Sequence, residues 1–199
     1  MYSGFARSEN VVALRIARDA GLDNIVNLAK TMGIESALEP VPGLVLGQSG
    51  VTPLEMTGAV GAIANAGIWN RPHGIQRILD SSDCTDSRDR STCRVIFDFA
   101  TDSPDVDQDV LTPNTARTMT ALMRGTVNGG TGSSAYLGLG EAGKTGTTND
   151  NVDLWFVGFV PNSDLVTGIW LGNDDNEPTY GSSSQAAQLW SNYMGQVVK

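Results

Sequence analysis

The sequence predicts an α+β fold, with helices first and an antiparallel sheet last. Three observations carry this reading. Residues 11–66 set apolar side chains at helical spacing between glycine stops. Residues 152–171 hold two dense apolar runs joined by a turn. Residues 185–197 then return to helical spacing.

The elements follow in order. Val11, Leu14, Ile16 and Ala17 mark a first helix that Gly21 ends, and Ile25, Leu28, Ala29 and Met32 mark a second that Gly33 ends. Residues 40–50 read as a loop, with Pro40, Pro42, Gly43, Gly47 and Gly50. Thr52-Pro53-Leu54-Glu55 is the clearest helix start in the chain. It combines an N-cap threonine, proline at the first helical position and the glutamate of a capping box. The small residues that follow, to about Ala66, suggest a buried helix. Gly74–Leu79 and Arg94–Phe99 look like short strands flanking a cysteine-containing insertion, which together make a hairpin arm. Thr112-Pro113 opens a helix with Ala116, Met119, Leu122 and Met123 on one face, and residues 125–140 are glycine-rich. Val152–Val160, the turn Pro161-Asn162-Ser163-Asp164 and Leu165–Leu171 form a hairpin apolar on both faces and so covered on both. In the closing helix, Ala186, Leu189, Trp190 and Tyr193 are placed to cover the sheet. The domain organisation read from this is a mainly helical part (1–72), the arm (73–100), a helix with its glycine-rich loop (112–142), and the strands with the last helix (143–199).

Composition narrows the function. At 199 residues, with 40% hydrophobic residues, the chain can bury a core, and it has no apolar run long enough to span a membrane. A net charge of −9 argues against nucleic acid as a partner, since phosphate binding needs clustered Lys and Arg. The start, Met1-Tyr2-Ser3-Gly4-Phe5, lacks the basic and apolar segments of a signal peptide, so targeting information is expected outside this chain. Cys84 and Cys93, with the lone His73, are too few for a metal site. A local disulfide is the expectation, worth about 2.7 kcal/mol by loop entropy and implying an oxidising compartment; two free thiols are the alternative.

The chemistry concentrates at Gly143-Lys144-Thr145-Gly146-Thr147-Thr148. A cation, three hydroxyls and two positions without side chains stand directly ahead of the best strand pattern. Such an edge can bind an anion and let another backbone lie against it. Only Lys30, Lys144 and Lys199 occur, so Lys144 is not one of many surface lysines. Thr145 and Thr147 can hydrogen-bond a carboxylate, and the Thr147 N–H can serve as an oxyanion donor. Ser8-Glu9-Asn10 offers a hydroxyl and an amide two residues apart; taken alone it is an N-cap.

Together these residues resemble the second and third motifs of the penicillin-binding proteins, the serine DD-transpeptidases of cell-wall synthesis. The likeness runs over roughly residues 8–197. Ser8-Glu9-Asn10-Val11-Val12-Ala13-Leu14-Arg15 resembles the Ser-x-Asn helix entry, and Leu46 through Met56 resembles a stretch of the bifunctional, class A members. Lys144 through Asp150, followed by Asp153-Leu154-Trp155-Phe156-Val157-Gly158-Phe159, is the most specific block. Ala186-Ala187-Gln188-Leu189-Trp190 resembles the closing helix. The resemblance implies the transpeptidase fold shared with serine β-lactamases and acyl transfer from D-alanyl-D-alanine stem peptides, with β-lactams as mimics and no cofactor or metal. Ser8 would take part in proton transfer, Asn10 would hold the substrate amide, and Lys144 would support the proton network. Thr145 and Thr147 would bind the terminal carboxylate, and Gly146 would leave room for the substrate backbone.

One part of the pattern is missing. The family's nucleophile is the serine of a Ser-x-x-Lys motif, and here the residues three before Lys30, Lys144 and Lys199 are Asn27, Glu141 and Gln196. The chain is therefore expected to be the C-terminal portion of a transpeptidase domain, inactive alone. The rest of the domain and a membrane anchor would lie outside it, on the extracytoplasmic side. A β-lactamase or carboxypeptidase relative, and a non-catalytic peptide-binding module of the same fold, are the competing readings.

Overall fold

The computed structural model describes residues 1–103 and 107–198. Its first compact unit comprises Met1–Trp69 and the chain from Asp109 onward. A five-residue helix, α1 (Tyr2–Ala6), precedes the expected ones; it is too short to show a period. Next come α2 (Asn10–Ala20) and α3 (Leu22–Thr31), separated by Gly21 at φ 84°, a left-handed conformation that glycine adopts without strain. The buried faces differ from those read in the sequence. Val11, Ile16 and Leu28 are exposed; Ala17 is buried as expected, and Val26, outside the expected face, is buried too. Several apolar residues lie around each helix, so spacing alone left more than one possible face.

The loop at 40–50 contains a 3-10 turn, Pro42–Leu46. Helix α4 (Pro53–Ala64) opens with the capping box complete: Glu55 N donates to Thr52 Oγ1 at 3.2 Å, and Thr52 N donates to Glu55 Oε2 at 2.7 Å. Glu55 also accepts from Glu35 N at 2.8 Å and Ser36 N at 2.6 Å, so one carboxylate ties the segment after α3 to the start of α4. The Thr52 N–H is the leading cause that holds Glu55 down at about pKa 2; burial opposes it, and the Ser36 donors assist.

Strand β1 (Ile68–Asn70) leads into the second unit, Asn70–Gln108. That unit is built on β2 (Arg77–Cys84) paired antiparallel with β3 (Cys93–Asp98), followed by α5 (Phe99–Asp102). Cys84 and Cys93 are joined in a disulfide. The cysteines therefore end the strands instead of lying in an insertion between shorter ones, and β2 runs three residues later at its start and five later at its end than its apolar pattern suggests. Polar side chains hold this part of the ladder: Arg94, opposite Asp80, donates to it at 2.6 Å and to Asp83 at 3.1 Å. The His73 and Phe99 rings stack with centroids 3.6 Å apart.

Strand β4 (Asp107–Asp109) leads back, and α6 (Pro113–Val127) starts on Thr112, whose hydroxyl caps Thr115 N. The helix runs through Gly125, three residues into the stretch read as loose, because Thr126 and Val127 are buried. The sheet then forms from β5 (Ala142–Thr147), β6 (Leu154–Phe159) and β7 (Val166–Leu171), antiparallel and in that spatial order. Helix α7 (Ser183–Val197) closes the chain.

Both sheet faces are covered. On one, Phe156 and Val160 pack with Ala186, Ala187, Trp190 and Met194 of α7. Trp190 is wholly buried, its ring 5.2 Å from Phe156, and its indole N–H reaches Gly158 O at 3.2 Å and Thr167 O at 3.1 Å. Leu189 and Tyr193, expected on this face, are exposed, and Ala187, Ser191 and Met194 take the buried positions. On the other face Phe159 and Ala142 pack with Met123, Val60 and Ile63. Gly143 faces Gly158 across β5 and β6, and the Phe156 ring fills the space their side chains would need: a Cβ at Gly143 would stand 2.3 Å from it. Among the described residues no helix is long and apolar enough to cross a membrane, and no group of three metal-ligating side chains occurs.

Candidate active site

The β5 edge and the α1–α2 junction meet at one point. Ser8 occupies that junction at φ 56°, a left-handed conformation costly for a residue with a Cβ. Its N–H is held by Phe5 O at 3.0 Å, and Glu9 N by Gly4 O at 2.8 Å. This turn presents the Ser8 side chain to the sheet. Lys144 Nζ donates to Ser8 Oγ at 2.8 Å, closing a contact between residues 136 positions apart, and to Thr145 O at 2.9 Å. Burial lowers the Lys144 pKa to about 8. The Phe5 ring, its centroid 5.9 Å from Nζ, forms part of that apolar surround.

Chemically, the arrangement can hold a proton in two ways. An ammonium donating to Ser8 Oγ leaves the Ser8 O–H free to donate elsewhere. A neutral amine, increasingly populated near pH 8, can instead accept that proton. Asn10, the first residue of α2, is exposed, and its amide has no hydrogen-bond partner among the described residues. With Ser8, Phe5, Lys144 and Leu46 it lines a cavity of about 360 Å³. A second cavity of about 410 Å³ shares Leu46 and the run Lys144–Thr147, and is walled by Met56, Val60, Trp155 and Val157. The Lys-Thr-Gly-Thr strand is thus bordered by two cavities.

The two threonines differ. Thr145 is buried, and its Oγ1 lies 2.6 Å from Thr131 Oγ1. With Thr131 as donor, the Thr145 O–H remains available to a ligand. Thr147 is exposed at the end of β5. Between them, Gly146 lies against Trp155, where a Cβ would come within 3.2 Å of the tryptophan Cβ. The strand is anchored at both ends. Ahead of it, burial alone would raise the pKa of Glu141, but the N–H groups of Leu137, Glu141 itself, Leu139 and Gly138 hold it below the ordinary range. Beyond it, Asp153 N donates to Thr148 Oγ1 at 2.7 Å, and Trp170 Nε1 donates to Asp153 Oδ1 at 2.8 Å.

The structure thus brings Ser8, Asn10, Lys144, Thr145, Gly146 and Thr147 to one cavity, and places Cys84 and Cys93 in the other unit. Phe5 and Thr131 belong to the surroundings of the site and were not singled out, whereas Leu46 and Trp155 stood in the motif stretches without a role of their own. Phe5 stands three residues before Ser8, a spacing that could have flagged it. Thr131 sits in a glycine-rich stretch with no local pattern.

This fold is found in solved penicillin-binding proteins. Penicillin-binding protein 1A from Haemophilus influenzae superposes over 100% of the chain and 34% of its own length, with TM-score 0.79 and 22% identity. Penicillin-binding protein 3 from Mycobacterium tuberculosis, complexed with aztreonam, covers 99% of the chain and 50% of its own, with TM-score 0.76 and 24% identity. In sequence, the penicillin-binding protein transpeptidase domain profile matches residues 1–195, and the chain belongs to that family. Among curated relatives, penicillin-binding protein 1A of Rickettsia typhi is 34% identical over 184 residues and that of Aquifex aeolicus 31% over 198. These alignments take in 87% and 98% of this chain but 23% and 25% of the relatives, so the chain spans about a quarter of their length.

Proposed function

We propose that this chain forms the Ser-x-Asn and Lys-Thr-Gly walls of a class A DD-transpeptidase site that cross-links peptidoglycan. The observation that carries the proposal is the 2.8 Å contact of Lys144 Nζ with Ser8 Oγ, which joins the two motifs into one proton path. In this reading the D-alanyl-D-alanine end of a stem peptide, or a β-lactam, lies along β5. Thr145 and Thr147 take its carboxylate, Lys144 adds its charge, Asn10 holds an amide, and Gly146 admits the ligand backbone. Ser8 returns a proton to the leaving amine. The attacking serine comes from a Ser-x-x-Lys segment that this sequence does not contain, so the chain alone carries the clamp and the relay without the nucleophile. The parent protein holds this domain outside the cytoplasm on a membrane anchor, a setting that matches the Cys84–Cys93 disulfide.

Labelling with a fluorescent penicillin tests this. The chain alone is expected to take no label that survives denaturation, and co-expression with a Ser-x-x-Lys segment from a relative is expected to confer it. A stable adduct on the isolated chain would overturn the assignment of the nucleophile. Reversible peptide binding that no added segment converts to acylation would favour a non-catalytic binding module.

A further inference from the structure

A third cavity, of about 330 Å³, lies between α6, the end of α4 and the β6–β7 turn, and shares no residue with the two beside Lys144. Its α6 wall presents Arg117 and Arg124. Seven residues apart, they stand on one helix face two turns from each other, about 10 Å along the axis. Between and below them lie Thr120, Ile63, Ala121 and Phe159, so a mainly apolar floor separates two cationic ends. No acidic residue lines the cavity, in a chain carrying 22 Asp and Glu against 13 Lys and Arg.

Neither guanidinium has a hydrogen bond or ion pair among the described residues, whereas Arg18, Arg77 and Arg94 each meet a carboxylate. Local helix electrostatics accounts for only one of the two. Arg124 stands in the last turn, where the helix dipole favours a cation, but Arg117 stands in the N-terminal half, where it does not. Gly140 leaves room for the Arg124 head group: a Cβ there would stand 3.1 Å from its Nη2.

We infer that this cavity is a binding site for an elongated dicarboxylate, a ligand with an apolar middle and an anionic group at each end. A guanidinium offers a planar fork of donors that matches one carboxylate, so two of them fix the ends of the ligand. The volume is of small-molecule size.

Decanedioate matches the two-turn spacing of about 10 Å and serves as probe. Binding to the 199-residue chain is followed by NMR shifts of the Arg117 and Arg124 side-chain N–H groups, with decanoate, hexanedioate and sulfate as controls. Because both arginines are exposed and unpaired among the described residues, Arg117→Gln and Arg124→Gln should melt as the parent does. Each substitution is expected to weaken decanedioate about five-fold, the scale of one exposed guanidinium–carboxylate pair. Decanoate, with one carboxylate, should bind about five-fold more weakly than decanedioate. Equal affinity of parent and variants for decanedioate, or equal binding of hexanedioate and decanedioate, would overturn the inference. The readout is independent of penicillin labelling, so it succeeds or fails apart from the transpeptidase reading.

Discussion

Replacing Lys144 by methionine should stabilise this protein at neutral pH. Burial lowers the lysine pKa from 10.5 to about 8, which corresponds to about 3 kcal/mol of differential disfavour for the ammonium. Methionine fills a similar volume without that charge. The substitution also removes the bonds to Ser8 Oγ and Thr145 O, together worth about 1–2 kcal/mol net. A gain of about 1–2 kcal/mol remains at pH 7, or about 2–8 °C in Tm for a chain of this size. The sign follows from proton binding. Between pH 8 and 10.5 the unfolded chain binds more protons at this position than the folded one, so the stability of the parent rises with pH across that window. The advantage of Lys144→Met should therefore be full below pH 8, vanish near pH 9 and become a deficit of about 1–2 kcal/mol above pH 10.5, where the neutral lysine keeps its two hydrogen bonds. Thermal denaturation of both proteins at pH 7, 9 and 10.5 measures it. With three lysines in the sequence, the side-chain resonance of Lys144 can be followed directly through its midpoint near 8. A variant that melts lower than the parent by the same margin at every pH would refute the reasoning, because the lysine would then act through packing alone.

Other outcomes follow from the same geometry. Glu55→Gln should cost about 1–2 kcal/mol at pH 7, and because the folded pKa lies below 4.5, the deficit should shrink as pH falls from 4.5 towards 2, read by urea unfolding at each pH. Trp190→Ala should lose about 3–5 kcal/mol, since it empties a wholly buried site and removes the indole N–H that donates to Gly158 O and Thr167 O; a loss under 1 kcal/mol in chemical denaturation would contradict the packing described. Intact-mass measurement before and after reduction should differ by two hydrogens for the Cys84–Cys93 bond, and reduction should leave the amide exchange of β5–β7 unchanged.

Much of this arrangement was legible in the sequence because it is local. The Thr52–Glu55 box, the Gly21 stop and the β6–β7 hairpin each depend on residues a few positions apart, and the structure places them close to where the pattern does. Where two apolar faces competed, as around α2, α3 and α7, the outcome was decided by distant packing that no local period encodes. The site divides the same way. Lys144, Thr145, Gly146 and Thr147 stood out by composition, and Ser8 and Asn10 gained meaning only beside them. Phe5 and Thr131 matter through contacts with distant parts of the chain, Phe5 to Lys144 and Thr131 to Thr145; the place of Phe5 three residues before Ser8 is its one local signal, and Thr131 has none.

The Phe156 ring has a consequence for sequence change. Three glycines from different segments border it: added Cβ atoms would stand 2.3 Å from the ring at Gly143, and 3.0 Å at Gly132 and Gly158. The four positions therefore share one fixed volume. An alanine at Gly132 or Gly143 should be harmful beside phenylalanine yet tolerated beside leucine or valine at 156, so the sign of one substitution depends on another. Gly158 is the exception within the group, because its Cβ would also meet Ala142 O at 2.7 Å, backbone that no change at 156 relieves. Selection for function from a library randomised at all four sites should recover paired changes at 132, 143 and 156, with 158 held constant.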